Sequence, residues 1–75
     1  MKELVEYIAK SLVDDPSQVE VVESRRSGSV VLKLQVAQED KGRVIGRSGR
    51  VANAIRSLLR VMGARQGKRV TLEIE

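Results

Sequence analysis

Val44-Ile45-Gly46-Arg47-Ser48-Gly49-Arg50-Val51 is the stretch around which the rest of the chain is organised. Two glycines three residues apart bracket a cation and a hydroxyl, with an apolar pair before them and an apolar-periodic run after. A Gly-x-x-Gly turn lets the backbone run close to another molecule, because neither glycine puts a Cβ in the way. Gly49 opens a helix, so the neighbouring N–H groups lack intrahelical partners and carry partial positive charge. Arg47 and Arg50 add full charges at the same spot. Such a surface suits phosphate.

Charge along the chain points the same way. Residues 1–40 carry five basic and eight acidic side chains, whereas residues 41–75 carry nine basic and two acidic. Between Lys41 and Arg69 there is no acid at all. A field this one-sided favours a polyanionic partner, nucleic acid first. Tyr7 is the only aromatic residue, so bases are not expected to stack on an aromatic sheet.

Composition removes whole classes of chemistry. With no cysteine and no histidine, disulfides, thiolate chemistry, Cys/His metal sites and a histidine base are all excluded. No cofactor and no metal are expected. Gly42 to Gly49 lacks the Gly-Lys-[Ser/Thr] ending of a P-loop, and the dinucleotide Gly-x-Gly-x-x-Gly pattern is absent. The remaining acids have no catalytic partner, and the chain reads as a non-enzyme. The acidic, amphipathic start does not read as a signal peptide, and no apolar run reaches membrane-spanning length, which gives a cytoplasmic reading.

The stretch sits within a regular pattern. Leu4, Val5, Ile8, Ala9 and Leu12 recur at helical spacing over residues 2–13, and Pro16 ends that helix. Residues 18–25 read as a valine-rich strand whose phase slips at Val21-Val22, allowing a bulge. A turn at residues 26–29 leads to cleanly alternating residues 30–37, which predicts an antiparallel hairpin. Glu39 and Asp40 open a short helix that stops at Gly46, their charges matched to its dipole. The next helix buries a stripe of Val51, Ala52, Ile55, Leu58, Leu59 and Met62 and ends at Gly63 as its C′ residue. Val70, Leu72 and Ile74 point inward from a last strand.

The order is α-β-β-α-α-β, one small α+β domain over residues 1–75. A right-handed crossover makes the third strand parallel to the second, giving a three-stranded mixed sheet with helices on one face.

Ile45-Gly46-Arg47-Ser48-Gly49, lying between two helices of a βααβ unit, resembles the I-G-x-x-G signature of KH domains. The additional helix and strand lie N-terminal to that unit, as in the bacterial, type II arrangement. The resemblance implies single-stranded RNA binding, in which the loop clamps the backbone of about four nucleotides. Carried onto this chain, it implies that Gly46 and Gly49 permit close approach while Arg47 and Ser48 face phosphates. Ile45, Val51 and Ala52 would line an apolar floor under the bases, with Ala52 smaller than the aliphatic residue many members carry there. Lys41, Gly42, Arg43, Arg50 and Asn53 complete the expected RNA-binding set; Gly42 has an equal claim as a packing glycine against the sheet. Arg56 and Arg60 read as outward charges, and the placement of Lys68 and Arg69 is left open by the sequence. The resemblance also implies RNA chaperoning or post-transcriptional regulation. As partners it implies a second copy of the chain or a second, Jag-like KH protein, so that a dimerisation module is the rival reading.

Overall fold

The computed structural model describes all of residues 1–75. Its elements are α1 (Lys2–Leu12), β1 (Glu20–Arg26), β2 (Ser29–Gln35), α2 (Lys41–Ile45), α3 (Arg50–Arg65) and β3 (Arg69–Ile74). Three short 3-10 turns, Pro16–Gln18, Gln38–Asp40 and Arg47–Gly49, link them.

The sheet runs β1-β2-β3. β1 and β2 are antiparallel from Glu20↔Gln35 to Arg26↔Ser29, and β2 and β3 are parallel from Ser29↔Arg69 to Leu34↔Ile74. The first register is unbroken, so no bulge forms at Val21-Val22. Val21 points inward and Val22, 42% exposed, points out. The strand begins at Glu20 rather than residue 18 because Pro16 winds the preceding residues into a 3-10 turn.

Alternation along the strands puts Val21, Val30, Leu32, Leu34 and Leu72 on one face of the sheet. Val5 and Ala9 of α1, Val44 of α2, and Ile55 and Leu59 of α3 close over them. Each such aliphatic side chain contributes about 1.5–3 kcal/mol by leaving water. The opposite face carries exposed Lys33, Gln35 and Glu73. The helices therefore cover one side, as the pattern of residues requires.

Two expectations about α3 are corrected. Leu58 lies outside the core at 51% exposure, because Ile55 and Leu59 already fill the inward face of that turn. Gly63 does not end the helix but lies buried within it. A Cβ there would stand 2.7 Å from the Lys68 carbonyl oxygen and 2.7 Å from Val70 Cγ2, so Gly63 lets β3 pass close by. The stop is Gly67, at φ +67°. Its N–H donates to the Ala64 carbonyl at 3.2 Å, and Lys68 N–H donates to the Gly63 carbonyl at 2.8 Å. This Schellman closure turns the chain directly back along α3.

Asp40 stands at the N-cap of α2, where the sequence reading puts its charge, and has a further role. It makes no side-chain cap on α2; it is buried, and its two oxygens accept the N–H groups of Asp14 and Asp15 at 3.1 and 3.2 Å. The residue thereby pins the exit of α1 to the entry of α2, which carries the glycine loop at its other end.

Candidate nucleic-acid interface

The loop is built by three residues in the left-handed half of backbone space. α2 closes with Gly46 N–H donating to the Gly42 carbonyl at 2.8 Å, after which Gly46 swings to φ +78°, ψ 171°. A Cβ on Gly46 would lie 2.5 Å from Val51 Cγ2 and 2.8 Å from Val51 N, so only glycine fits. Ser48 (φ +57°, ψ 24°) and Gly49 (φ +76°, ψ 15°) follow, and α3 starts at Arg50. Gly49 N–H returns to the Gly46 carbonyl at 3.1 Å, making the turn tight.

No side chain caps α3, and its first turn holds no acid. Its open N–H end is thus available to an anion. Arg47, Ser48, Arg50 and Asn53 are exposed around it, and neither Arg47 nor Arg50 has an ion-pair partner. Ile45 (39% exposed) and half-buried Val51 present apolar surface beside the loop. Lys41 is half-buried and Gly42 exposed at the start of α2.

The surroundings of three residues in the expected set bear on their roles. Ala52 is only 2% exposed, packed inside the first turn of α3, and so offers no floor for a base. A Cβ on Gly42 would meet nothing within 4 Å, so this glycine does not pack against the sheet. Arg43 is not a free cation: its Nη2 lies 2.9 Å from Asp14 Oδ2 and its Nε 3.4 Å from Asp40 Oδ1. Nothing in the sequence announces that pairing, because Asp14 lies 29 residues away.

Arg56 is exposed, as expected, yet it is tied to the sheet. Its Nε and Nη2 donate to the Leu72 carbonyl and its Nη1 to Asn53 Oδ1, each at 3.4 Å. The guanidinium therefore spans the gap between α3 and the outer edge of β3. Its three-residue spacing from Asn53 was the available signal, since it puts both on one side of the helix. Farther along, Arg60, Lys68 and Arg69 are among the residues that line an open cleft of about 780 Å³. No three His, Cys, Asp or Glu side chains group as a metal site, and no helix is long and apolar enough to cross a membrane.

An α-β-β-α-α-β chain with a Gly-x-x-Gly turn between its last two helices is a KH domain of the type II arrangement. The family model described as "KhpA/KhpB, KH domain" matches residues 2–74, and the chain belongs to that family. It is 50% identical over 74 residues to the RNA-binding protein KhpA of Clostridium acetobutylicum, covering 99% of both chains. The RNA-binding protein KhpA of Listeria monocytogenes is 45% identical over 74 residues, with 99% of this chain and 97% of the relative covered. That of Aquifex aeolicus is also 45% identical over 74 residues, covering 99% and 94%. No solved structure gives a significant match. These relatives are named as RNA-binding proteins, and the KH domain is not an enzyme family.

Proposed function

We propose that this protein binds single-stranded RNA by clamping its phosphate backbone with Gly46-Arg47-Ser48-Gly49. The observation that carries the reading is the coincidence at one point of a side-chain-free approach, an uncapped helix start and two unpaired arginines. The relatives named as RNA-binding proteins support it. Lys41, Gly42, Arg50 and Asn53 flank the strand, and Ile45 with Val51 supplies apolar contact to bases. Phosphate contacts position a strand without reading its sequence. A clamp of this kind fits an RNA chaperone or post-transcriptional regulator serving many transcripts in the cytoplasm.

The test is single-stranded RNA binding across a salt series, wild type against the Arg47→Asp/Ser48→Asp double variant, with circular dichroism on both. Contact with about four phosphates gives a log–log slope of roughly −3. Aspartate tolerates the left-handed conformation of residue 48, so the variant folds. Lost binding with a retained fold supports the clamp; equal binding by both proteins overturns it.

A second reading rests on a different face. Ala54, Leu58 and Val61 follow one another along the outer side of α3, with Leu58 51% and Val61 57% exposed. This stripe suits docking of a second KH domain, either another copy of this chain or a KhpB (Jag-like) protein. Sedimentation of wild type and Val61→Asp tests it: a dimer that persists in high salt and is lost in the variant is the expected result.

A further inference from the structure

We infer that the cleft at the far end of α3 is a second phosphate-binding subsite, so that the protein holds a strand longer than the loop alone can clamp. This inference rests on the RNA reading above.

The cleft is formed where the Schellman turn brings the end of α3 against the start of β2 and β3. Its cations come from three places: Arg60 on α3, Lys68 in the turn and Arg69 at the head of β3. Two glycines at positive φ, Gly28 (+72°) and Gly67 (+67°), form its rim, and a Cβ at either would meet nothing within 4 Å. Arg69 N–H donates to the Gly28 carbonyl at 2.8 Å, which fixes the hairpin turn against β3. No acidic side chain lines the cleft, and Arg60, Lys68 and Arg69 have no ion-pair partner. Three uncompensated cations around an open concavity attract a polyanion.

Geometry connects this cleft to the loop. Arg60 follows Arg50 by ten residues, about 15 Å along a helix rising 1.5 Å per residue. A single strand held at the loop and running along α3 therefore brings its following phosphates within reach of the cleft. Arg56, four residues before Arg60 and hydrogen-bonded to the edge of β3, lies on the path between them. A strand leaving the loop along α3 passes Arg56 and then Arg60, which lie on one side of the helix. The ligand of the cleft is the phosphodiester backbone of the following two to four nucleotides.

The experiment uses oligouridine of four and ten nucleotides against wild type, the Arg60→Gln/Lys68→Gln/Arg69→Gln variant and the Arg47→Asp/Ser48→Asp variant. Circular dichroism checks each fold. Wild type is expected to bind the decamer with a salt slope steeper by about 2 than the tetramer, since each single-strand phosphate contact contributes about 0.7. The triple glutamine variant is expected to lose that increment and at least tenfold in decamer affinity, with the tetramer unchanged. Equal slopes for the two lengths in wild type, or an equal loss on both lengths in the glutamine variant, overturn the second subsite and leave the clamp standing. Absence of binding by wild type, or decamer binding indifferent to the loop variant, overturns the clamp and with it the path along α3. Should the triple variant fail to fold, Arg60→Gln alone carries the test, with a slope loss of about 0.7 on the decamer only.

Discussion

Gly46 and Val51 stand so close that a side chain on the glycine would enter the valine: the Cβ position lies 2.5 Å from Val51 Cγ2 and 2.8 Å from its backbone nitrogen. The obstacle includes main chain, which a rotamer change cannot move aside. Gly46 thus does two things at once, ending α2 at a positive φ and letting α3 start immediately behind the loop.

Gly49 is under a weaker demand. Its φ is also positive, but a Cβ would meet only Asn53 Nδ2, at an ordinary 3.7 Å. Gly46→Ala is therefore expected to destabilise the domain by about 2–4 kcal/mol, combining backbone strain with overpacking. Gly49→Ala should cost only about 1–2 kcal/mol, the usual penalty for a left-handed residue with a Cβ. Urea unfolding of the two variants measures the difference. Equal losses would show that the contact with Val51 relaxes freely.

Asp40 provides the second test. Its carboxylate is buried, satisfies two N–H groups from the α1 exit and faces Arg43. Asp40→Ala leaves those N–H groups unpaired, at about 1–3 kcal/mol for each group that stays buried, and removes a charge-assisted contact as well. A net loss of about 3 kcal/mol is expected. For a domain of this size that lowers Tm by about 12–24 °C. Thermal unfolding followed by circular dichroism reads it directly, and a shift of under about 4 °C would show that water replaces the carboxylate at little cost.

Gly63 gives a prediction about sign. Helix propensity alone says that Gly→Ala in the last turn of α3 stabilises by at most about 0.8–1.0 kcal/mol. Packing says the reverse, because the new methyl would lie 2.7 Å from the Lys68 carbonyl oxygen. Overpacking against backbone costs about 1–3 kcal/mol, so the packing effect is the larger. Gly63→Ala should be net destabilising, whereas Gly42→Ala, with open space at its Cβ, should be stabilising by about 0.5–1 kcal/mol. Chemical denaturation of both single variants, run side by side, decides the matter.

These contrasts also show how far the sequence could be read. Period-two and period-3.6 patterns gave the elements, the sheet order and the parallel pairing of β2 with β3, because those depend on local hydrophobic spacing and on crossover handedness. The loop was legible for the same reason: its residues are contiguous. What escaped depends on long-range neighbours. Leu58 and Leu59 are equally apolar, and only the rotation of α3 against the sheet decides which is buried. Gly63 and Gly67 are both plausible stops, and the choice is made by how closely β3 returns. Asp40 and Arg43 acquire their roles from Asp14 and Asp15, more than twenty residues earlier.

The pairing of Arg43 leads to the last prediction. Arg43 and Arg47 are four residues apart and would be ranked together by charge alone, yet one is held by Asp14 and Asp40 while the other has no partner. A phosphate approaching Arg43 must compete with a carboxylate at 2.9 Å, whereas Arg47 exchanges only solvent and counterions. Arg47→Gln is therefore expected to reduce the salt slope of RNA binding by about 0.7, and Arg43→Gln to leave it nearly unchanged. Asp14→Asn, which frees the guanidinium from its exposed partner without touching the loop, should restore a contribution from Arg43 and steepen the slope. Exposed ion pairs contribute only about 0–1 kcal/mol, so this substitution should change stability little. Slopes measured for the three variants on one oligonucleotide test the assignment together. A fall for Arg43→Gln as large as that for Arg47→Gln would mean that RNA displaces Asp14 and takes Arg43 for itself.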